Sequence, residues 1–275
     1  MLIANGRSGQ TDVSLEIAIQ TSLWGNKMDL SLWPAAATKS SSQQTEEKAS
    51  FRAALEVGRS YILDDHTSAV VSNLINSPKS GGKVISIIVD NAGYELVSDM
   101  MLGHTLLELG VAGKVVFHTK AHPTFVSDAT NEDCEGTIDF LSGAPSEHTA
   151  ALATAWRTHV VSGKFEFSDD LFWCQPTAFW DMPDHIQAKL ADSAMVFVKG
   201  DANYRRLLGE RDWPLDTEAA TVLSYWPVPV CALRTFKAEI GCGISAEAQR
   251  RASEADPKWM VSGRWGVVQV GGPSF

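Results

Sequence analysis

The stretch Val84-Ile-Ser-Ile-Ile-Val89 runs directly into Asp90-Asn91-Ala-Gly93, and helical spacing of apolar residues follows as far as Gly110. A run this rich in β-branched residues is typical of a buried strand, and a glycine permits the sharp turn that a following helix requires. Strands that alternate with helices form mostly parallel sheets. The stretch therefore predicts an α/β fold whose first clear strand ends in a carboxylate and an amide.

Four further runs have the length and composition of strands: residues 114–119, 195–198, 228–233 and 265–270. Segments of helical length separate them, which predicts a three-layer α/β/α sandwich with a largely parallel sheet. A polar, Ser-rich run at 38–48 and a Pro/Gly-containing break at 76–82 interrupt the first part of the chain. We therefore predict an N-terminal helical and loop segment at 1–82 and an α/β core at 83–275.

The charge and cysteine content of the chain exclude several classes of protein. The 275 residues include 23 Lys and Arg against 33 Asp and Glu, a net charge of -10. Binding to nucleic acid or to anionic membranes depends on basic patches, so we expect neither partner. The four cysteines are scattered without a C-x-x-C pair, which favours a reducing compartment. We expect a cytoplasmic or also nuclear protein, and the oligomeric state stays open.

Polar side chains follow successive strands, where ligands bind in parallel α/β sheets. Asp90 and Asn91 follow the first strand, and Asp128 lies in the loop after the second. The third and fourth strands lead into the cation-rich segments 199–206 and 234–237. Each group alone is typical of a turn, a helix cap or a solvated surface. Their recurrence favours a divalent cation that faces a phosphate.

Four motifs, taken in chain order, resemble those of the metal-dependent damage-control phosphatases. The motifs are Val-Asp90-Asn91-Ala-Gly-Tyr-Glu95, Phe125-Val-Ser-Asp128, Lys199-Gly-Asp201-Ala-Asn203-Tyr204-Arg205 and Arg234-Thr-Phe-Lys237. The Arg-Thr-x-Lys pattern of the last motif resembles the motif that marks the sugar phosphate phosphatase subfamily. With the segments 23–30 and 262–266, the resemblance extends from about residue 12 to about residue 270.

The resemblance implies an α/β/α fold and hydrolysis of small sugar phosphates, such as fructose 1-phosphate and fructose 6-phosphate, in metabolite damage control. The implied cofactor is a divalent metal, Mn²⁺ first, with Ni²⁺ or Co²⁺ as alternatives and Mg²⁺ weaker. It assigns metal binding and catalysis to Asp90, Asn91 and Asp128. The substrate-binding residues that it implies are Asp90, Asn91, Asp201, Ala202, Asn203, Tyr204, Arg205 and Lys237.

The N-terminus departs from the pattern of the family. Members usually carry an all-helical region ahead of the Leu-Trp-Gly-Asn segment, and 23 residues precede Trp24 here, so we expect that region to be mostly missing. Two other functions stay open: an S-adenosylmethionine-dependent protein carboxyl methyltransferase, and a truncated, non-catalytic paralogue that binds sugar phosphates. For a phosphatase, attack by water is favoured over attack by Asp90.

Overall fold

The computed structural model describes residues 7–31, 55–76, 82–273 and 275. Its strands are β1 (Ile62–Asp65), β2 (Val84–Ile88), β3 (Lys114–Lys120), β4 (Phe165–Asp170), β5 (Ser193–Lys199), β6 (Val230–Thr235) and β7 (Gly266–Gly271). They form one sheet in the order β1-β7-β6-β5-β2-β3-β4. The predicted α/β class with a largely parallel sheet is confirmed.

Helices alternate with these strands along the chain. Among the α-helices of the described ranges are α1 (Arg7–Ser31), α2 (Thr67–Asn76), α3 (Tyr94–Glu108), α4 (Asn131–Ser142), α5 (Glu147–Val161), α6 (Asp184–Ala191), α7 (Asp201–Leu207), α8 (Ala219–Val222) and α9 (Ala246–Ala255). None of the helices in the part of the chain that the structure describes is both long and apolar enough to cross a lipid bilayer.

Two apolar cores lie on opposite faces of the sheet. Side chains alternate between the faces of a strand, so Ile85 and Ile87 of β2 enter one core and Ile88 enters the other. Helices α1 to α5 contribute to the first core, and α6 to α9 contribute to the second. Buried residues on both faces explain the near-continuous apolar sequence of the central strands.

Strand direction brings four strand ends to the same edge of the sheet. Within the sheet, the five adjacent strands β6-β5-β2-β3-β4 are all parallel to one another. Strand β7 is antiparallel to β6. The carboxyl ends of β2, β3, β5 and β6 therefore lie along one edge, and each leads into a segment that carries a predicted site residue.

The N-terminal part of the chain contributes to the same sheet and core. Strand β1 pairs in parallel with β7, and α1 packs on α3. The two helices approach closely at Gly25, where a Cβ atom would lie 2.2 Å from Ser98 Oγ. The predicted division of the chain at residue 82 stays a prediction.

Candidate active site

The three predicted metal ligands come together where β2 and β3 end. Backbone hydrogen bonds join the two loops: Ala92 N donates to Ser127 O over 2.7 Å, and Ala129 N donates to Asp90 O over 3.0 Å. Asn91 and Asp128 form an isolated antiparallel bridge between these bonds. The loop after β3 is thereby fixed against the turn after β2, and Asp90, Asn91 and Asp128 become neighbours.

A buried lysine that the sequence did not reveal lies between the two carboxylates. Lys120 Nζ is 3.1 Å from Asp128 Oδ1 and 3.6 Å from Asp90 Oδ1. None of the three residues is more than 5% exposed. Lysine side chains are ordinarily exposed to solvent, so a lysine in the sequence does not by itself predict a buried site residue. Only the position of Lys120 at the end of β3 could have drawn attention to it.

The environment of Asp90 opposes its negative charge. Burial raises the pKa of Asp90 to about 7, and the nearby carboxylates of Glu95 and Asp128 act in the same direction against Lys120 and Lys199. Two buried carboxylates thus share the Lys120 ammonium, whose attraction does not offset the burial of Asp90 together with the repulsion from the other carboxylates. Additional positive charge at this position would stabilise the ionised carboxylate.

Hydrogen bonds fix the orientation of the Asn91 amide. Its Nδ2 donates to Glu95 Oε2 over 2.8 Å and to Asp90 Oδ2 over 3.1 Å. Its Oδ1 accepts a hydrogen bond of 2.6 Å from Ser127 Oγ. A carbonyl oxygen has two lone pairs, so Oδ1 can accept this bond and also serve as a metal ligand.

The Asp128 carboxylate is held by the backbone of its own loop. Its Oδ2 accepts hydrogen bonds of 2.9 Å from the backbone N–H groups of Thr124 and Phe125. Those bonds leave Oδ1 directed to Lys120. The loop therefore positions the carboxylate before any ligand binds.

The donor set fits a divalent cation. Two carboxylates and an amide are the hard oxygen ligands that Mg²⁺ and Mn²⁺ prefer. The turn between β5 and α7 contacts Asp90 through Gly200, which has a φ of 83° and a place for Cβ only 1.9 Å from Asp90 Oδ2. Glycine at this position allows the backbone to approach the proposed metal ligand.

A second buried ion pair lies beside the first. Lys199 Nζ is 3.2 Å from Asp99 Oδ1 and 3.8 Å from Glu95 Oε1, and it donates to Ser22 O over 2.5 Å. Ser22 Oγ donates to Asp99 Oδ1 over 2.6 Å. These contacts tie α1 to the end of β5 through groups that are almost completely buried. Glu95 and Lys199 belong to the motifs quoted above, whereas Asp99 belongs to none of them.

The Arg-Thr-x-Lys motif fixes Asp201 at the start of α7. Arg234, which is fully buried, donates from Nε to Asp201 Oδ1 over 2.7 Å. Its other nitrogens donate to the carbonyl groups of Ala238 and Ile240. The backbone N–H of Lys237 also donates to Asp201 Oδ1, over 3.1 Å. The arginine therefore holds the loop that carries Lys237, whose side chain is exposed.

The remaining predicted substrate residues lie on α7, and the structure does not gather them all at Asp90. Asn203 Nδ2 donates to Val89 O over 3.1 Å and so braces the chain just before Asp90. Tyr204 is 1% exposed and its hydroxyl donates to Gln269 Oε1 over 2.6 Å. The Arg205 guanidinium is 2.6 Å from Glu210. Ala202, which is partly buried, lies in the first turn. Their roles in substrate binding stay predictions.

A mostly parallel sheet with carboxylate, amide and ammonium groups gathered at its carboxyl edge defines an α/β protein with a polar site at the strand ends. The sequence profile of the damage-control phosphatase ARMT1-like domain matches residues 6–252. The chain belongs to this family.

Several relatives carry the name damage-control phosphatase ARMT1. The chain is 37% identical to that of Danio rerio over 264 residues, 34% identical to that of Rattus norvegicus over 262 residues and 33% identical to that of Homo sapiens over 263 residues. Each match covers 93% of this chain and 57% or 58% of the relative. The chain thus spans somewhat more than half the length of these curated relatives.

Among solved structures, a DUF89 family protein of Pyrococcus horikoshii is 15% identical with a TM-score of 0.47, over 84% of this chain and 64% of that one. This similarity is too low to add to the family assignment.

Proposed function

We propose that this chain is a metal-dependent phosphatase that hydrolyses small sugar phosphates of the fructose 1-phosphate and fructose 6-phosphate type. Membership of the damage-control phosphatase family supports the reaction class. The observation that carries the proposal is the group of Asp90, Asn91 and Asp128 at the strand ends, with the buried Lys120 beside the two aspartates. It combines oxygen ligands for a cation with a fixed positive charge for a phosphate.

In this proposal Asp90, Asn91 and Asp128 hold the cation. Mn²⁺ is the expected cofactor, Co²⁺ and Ni²⁺ are alternatives, and Mg²⁺ is expected to support less activity. When bound, the cation polarises a phosphoryl oxygen and makes a water molecule more acidic. The hydrogen bonds from Thr124 and Phe125 keep the Asp128 carboxylate in place before the cation arrives.

Lys120 would supply part of the positive charge that phosphoryl transfer needs. A phosphate monoester is a dianion, and its hydrolysis depends mainly on positioning and on balancing charge. Lys120 Nζ already lies beside both carboxylates, so a phosphoryl group on the cation would be within its reach. The ammonium is buried, and screening by solvent weakens it little.

The sugar would lie towards the start of α7 and the loop after β6. Asp201 is held by Arg234 and by the backbone of Lys237, which makes its carboxylate a rigid acceptor for sugar hydroxyl groups. The exposed Lys237 side chain can turn towards the phosphate. This division assigns the phosphate to the ends of β2 and β3 and the hydroxyl groups to the ends of β5 and β6.

The test is release of inorganic phosphate from fructose 1-phosphate and fructose 6-phosphate by metal-stripped protein, before and after Mn²⁺ is restored. We expect release only with the cation, and a loss of at least about 100-fold in Asp90→Asn, since a bound metal contributes several kcal/mol to such a reaction. Asp139→Asn, at an exposed carboxylate on α4, is the matched control and should retain full activity.

Two results would contradict the proposal in different ways. Release from other phosphate esters but not from fructose phosphates would refute the proposed substrate class, while the proposed phosphatase reaction would still hold. Mn²⁺ binding without release from any ester would refute catalysis and favour a chain that only binds phosphates.

A further inference from the structure

A group of three metal-ligating side chains lies outside the candidate active site. His104 and Glu108 are four residues apart on α3 and therefore share one face of the helix. His159 approaches them from the last turn of α5. His104 is nine residues beyond Glu95 on α3, which places it about 13 Å along the helix from the strand-end site.

The three ligand atoms are already close together. His104 Nδ1 is 3.1 Å from His159 Nε2, and His159 Nε2 is 3.6 Å from Glu108 Oε1. All three atoms lie within 4.8 Å of one another. Ligands about 2.0–2.1 Å from a tetrahedral zinc ion lie about 3.3–3.4 Å apart. A cation could therefore bind with little movement of the helices.

We propose that His104, Glu108 and His159 form a second metal site, for a divalent cation of the zinc class. Imidazole nitrogen favours zinc, nickel and cobalt over the hard cations that an all-oxygen site prefers. Two histidines and a glutamate are a known zinc donor set that leaves a coordination position open. The site differs in ligand chemistry from the oxygen group of Asp90, Asn91 and Asp128.

The surroundings provide both support and access. His159 is 7% exposed and packs against the Phe165 ring, with centroids 5.1 Å apart, which restricts its orientation. A cavity of about 510 Å³ between α1 and α3 is lined by His104 and Glu108. A water molecule or a small ligand could enter there and complete the coordination of the cation.

Binding of a cation requires one proton to move from one nitrogen to the other within a single imidazole ring. In the structure the two imidazoles share a hydrogen bond between His104 Nδ1 and His159 Nε2. A cation needs a lone pair on both atoms, so the shared proton would move to the far nitrogen of its own ring. Each neutral imidazole then keeps one proton, and no proton or electron is gained or lost.

The experiment is a titration with Zn²⁺ followed by the ring-nitrogen NMR signals of the seven histidines. We expect the signals of two histidines to shift. His104→Ala should remove both shifts and weaken binding at this site at least about 100-fold, because even loss of a group behind a metal ligand costs 10–100-fold. Glu108→Gln, a conservative change at an exposed side chain, should weaken binding about tenfold or more.

His148→Ala is the matched control, since His148 is an exposed histidine on the same helix as His159. It should leave zinc affinity and the other histidine signals unchanged. Zinc binding without any histidine shift would place the ion at an oxygen site and overturn the proposal, as would shifts that survive in His104→Ala. Phosphate release is not the readout, so this test can fail independently of the proposed function.

Discussion

Gly200 packs so closely on Asp90 that a Cβ atom at position 200 would lie 1.9 Å from Asp90 Oδ2. The same glycine has a φ of 83°, which lies in the left-handed region. It joins the end of β5 to the first turn of α7. The backbone at the end of β5 thus restricts the position of the Asp90 carboxylate at the end of β2, and the site depends on both strands.

Gly200→Ala should therefore damage the site beyond the cost of its backbone conformation. A positive φ alone costs about 1–3 kcal/mol for a residue with a Cβ atom. The clash should also displace Asp90 and weaken Mn²⁺ binding. Gly163→Ala is the matched control, with a φ of 70° and no atom within 4 Å of the added Cβ. Calorimetry should show weaker Mn²⁺ binding in Gly200→Ala alone, and equal binding in both variants would contradict this account.

Lys120→Met should destabilise the metal-free protein. Removing one partner of a buried ion pair costs about 3–5 kcal/mol, because it leaves an uncompensated charge. Mn²⁺ should then raise the melting temperature of the variant more than that of the wild type, since the cation no longer faces the ammonium. Phosphate release should fall even with saturating Mn²⁺.

Lys114→Met serves as the control for Lys120→Met, because Lys114 lies on the same strand in a partly exposed pair with Glu166. Its stability should change by less than about 1 kcal/mol. An equal gain from Mn²⁺ in wild type and Lys120→Met would show that Lys120 does not face the cation.

Asp99 should contribute stability to the metal-free protein that is lost as pH rises from about 4 to about 7. Burial raises the pKa of Asp99 from 3.8 to about 7. In that interval the folded protein retains a proton that the unfolded chain releases, so higher pH favours unfolding. Asp99→Asn cannot ionise, so its stability at pH 7 relative to pH 4, measured by thermal melts, should be higher than that of the wild type or of Asp139→Asn. An unchanged profile in Asp99→Asn would contradict the assignment.

Arg234→Lys should loosen the loop after β6. A lysine cannot reproduce the planar set of bonds to Asp201, Ala238 and Ile240. We expect a loss of about 3 kcal/mol or more from this buried site, and a higher KM for a sugar phosphate. Arg250→Lys, in an exposed pair with Glu254, should change neither quantity. Unaltered stability in Arg234→Lys would refute the positioning role.

The central strands could be predicted because their β-branched runs are buried on both faces. Two edge strands could not. β1 has four residues and ends in two aspartates, and β4 also ends in two aspartates, so neither has a strong apolar signal. An edge strand pairs on one side alone, and its sequence is correspondingly less constrained.

The candidate site was predictable where the ligand type itself is informative. Asp90, Asn91 and Asp128 stand out as oxygen donors after strands, and the structure brings them together. The direction in which a side chain points cannot be predicted from its residue type. Tyr204 follows Asn203 directly in the sequence, yet its hydroxyl bonds to Gln269 on β7. Only the packing of the fold determines such contacts.

The central claim is that Asp90, Asn91 and Asp128 together hold a divalent cation. Crystals grown with Mn²⁺ and measured at an X-ray energy where manganese scatters anomalously test it most directly. We expect an anomalous peak within bonding distance of Asp90, Asn91 and Asp128, and no such peak in crystals of Asp90→Asn. Crystals of protein that releases phosphate with Mn²⁺, but with no peak between these three residues, would contradict it.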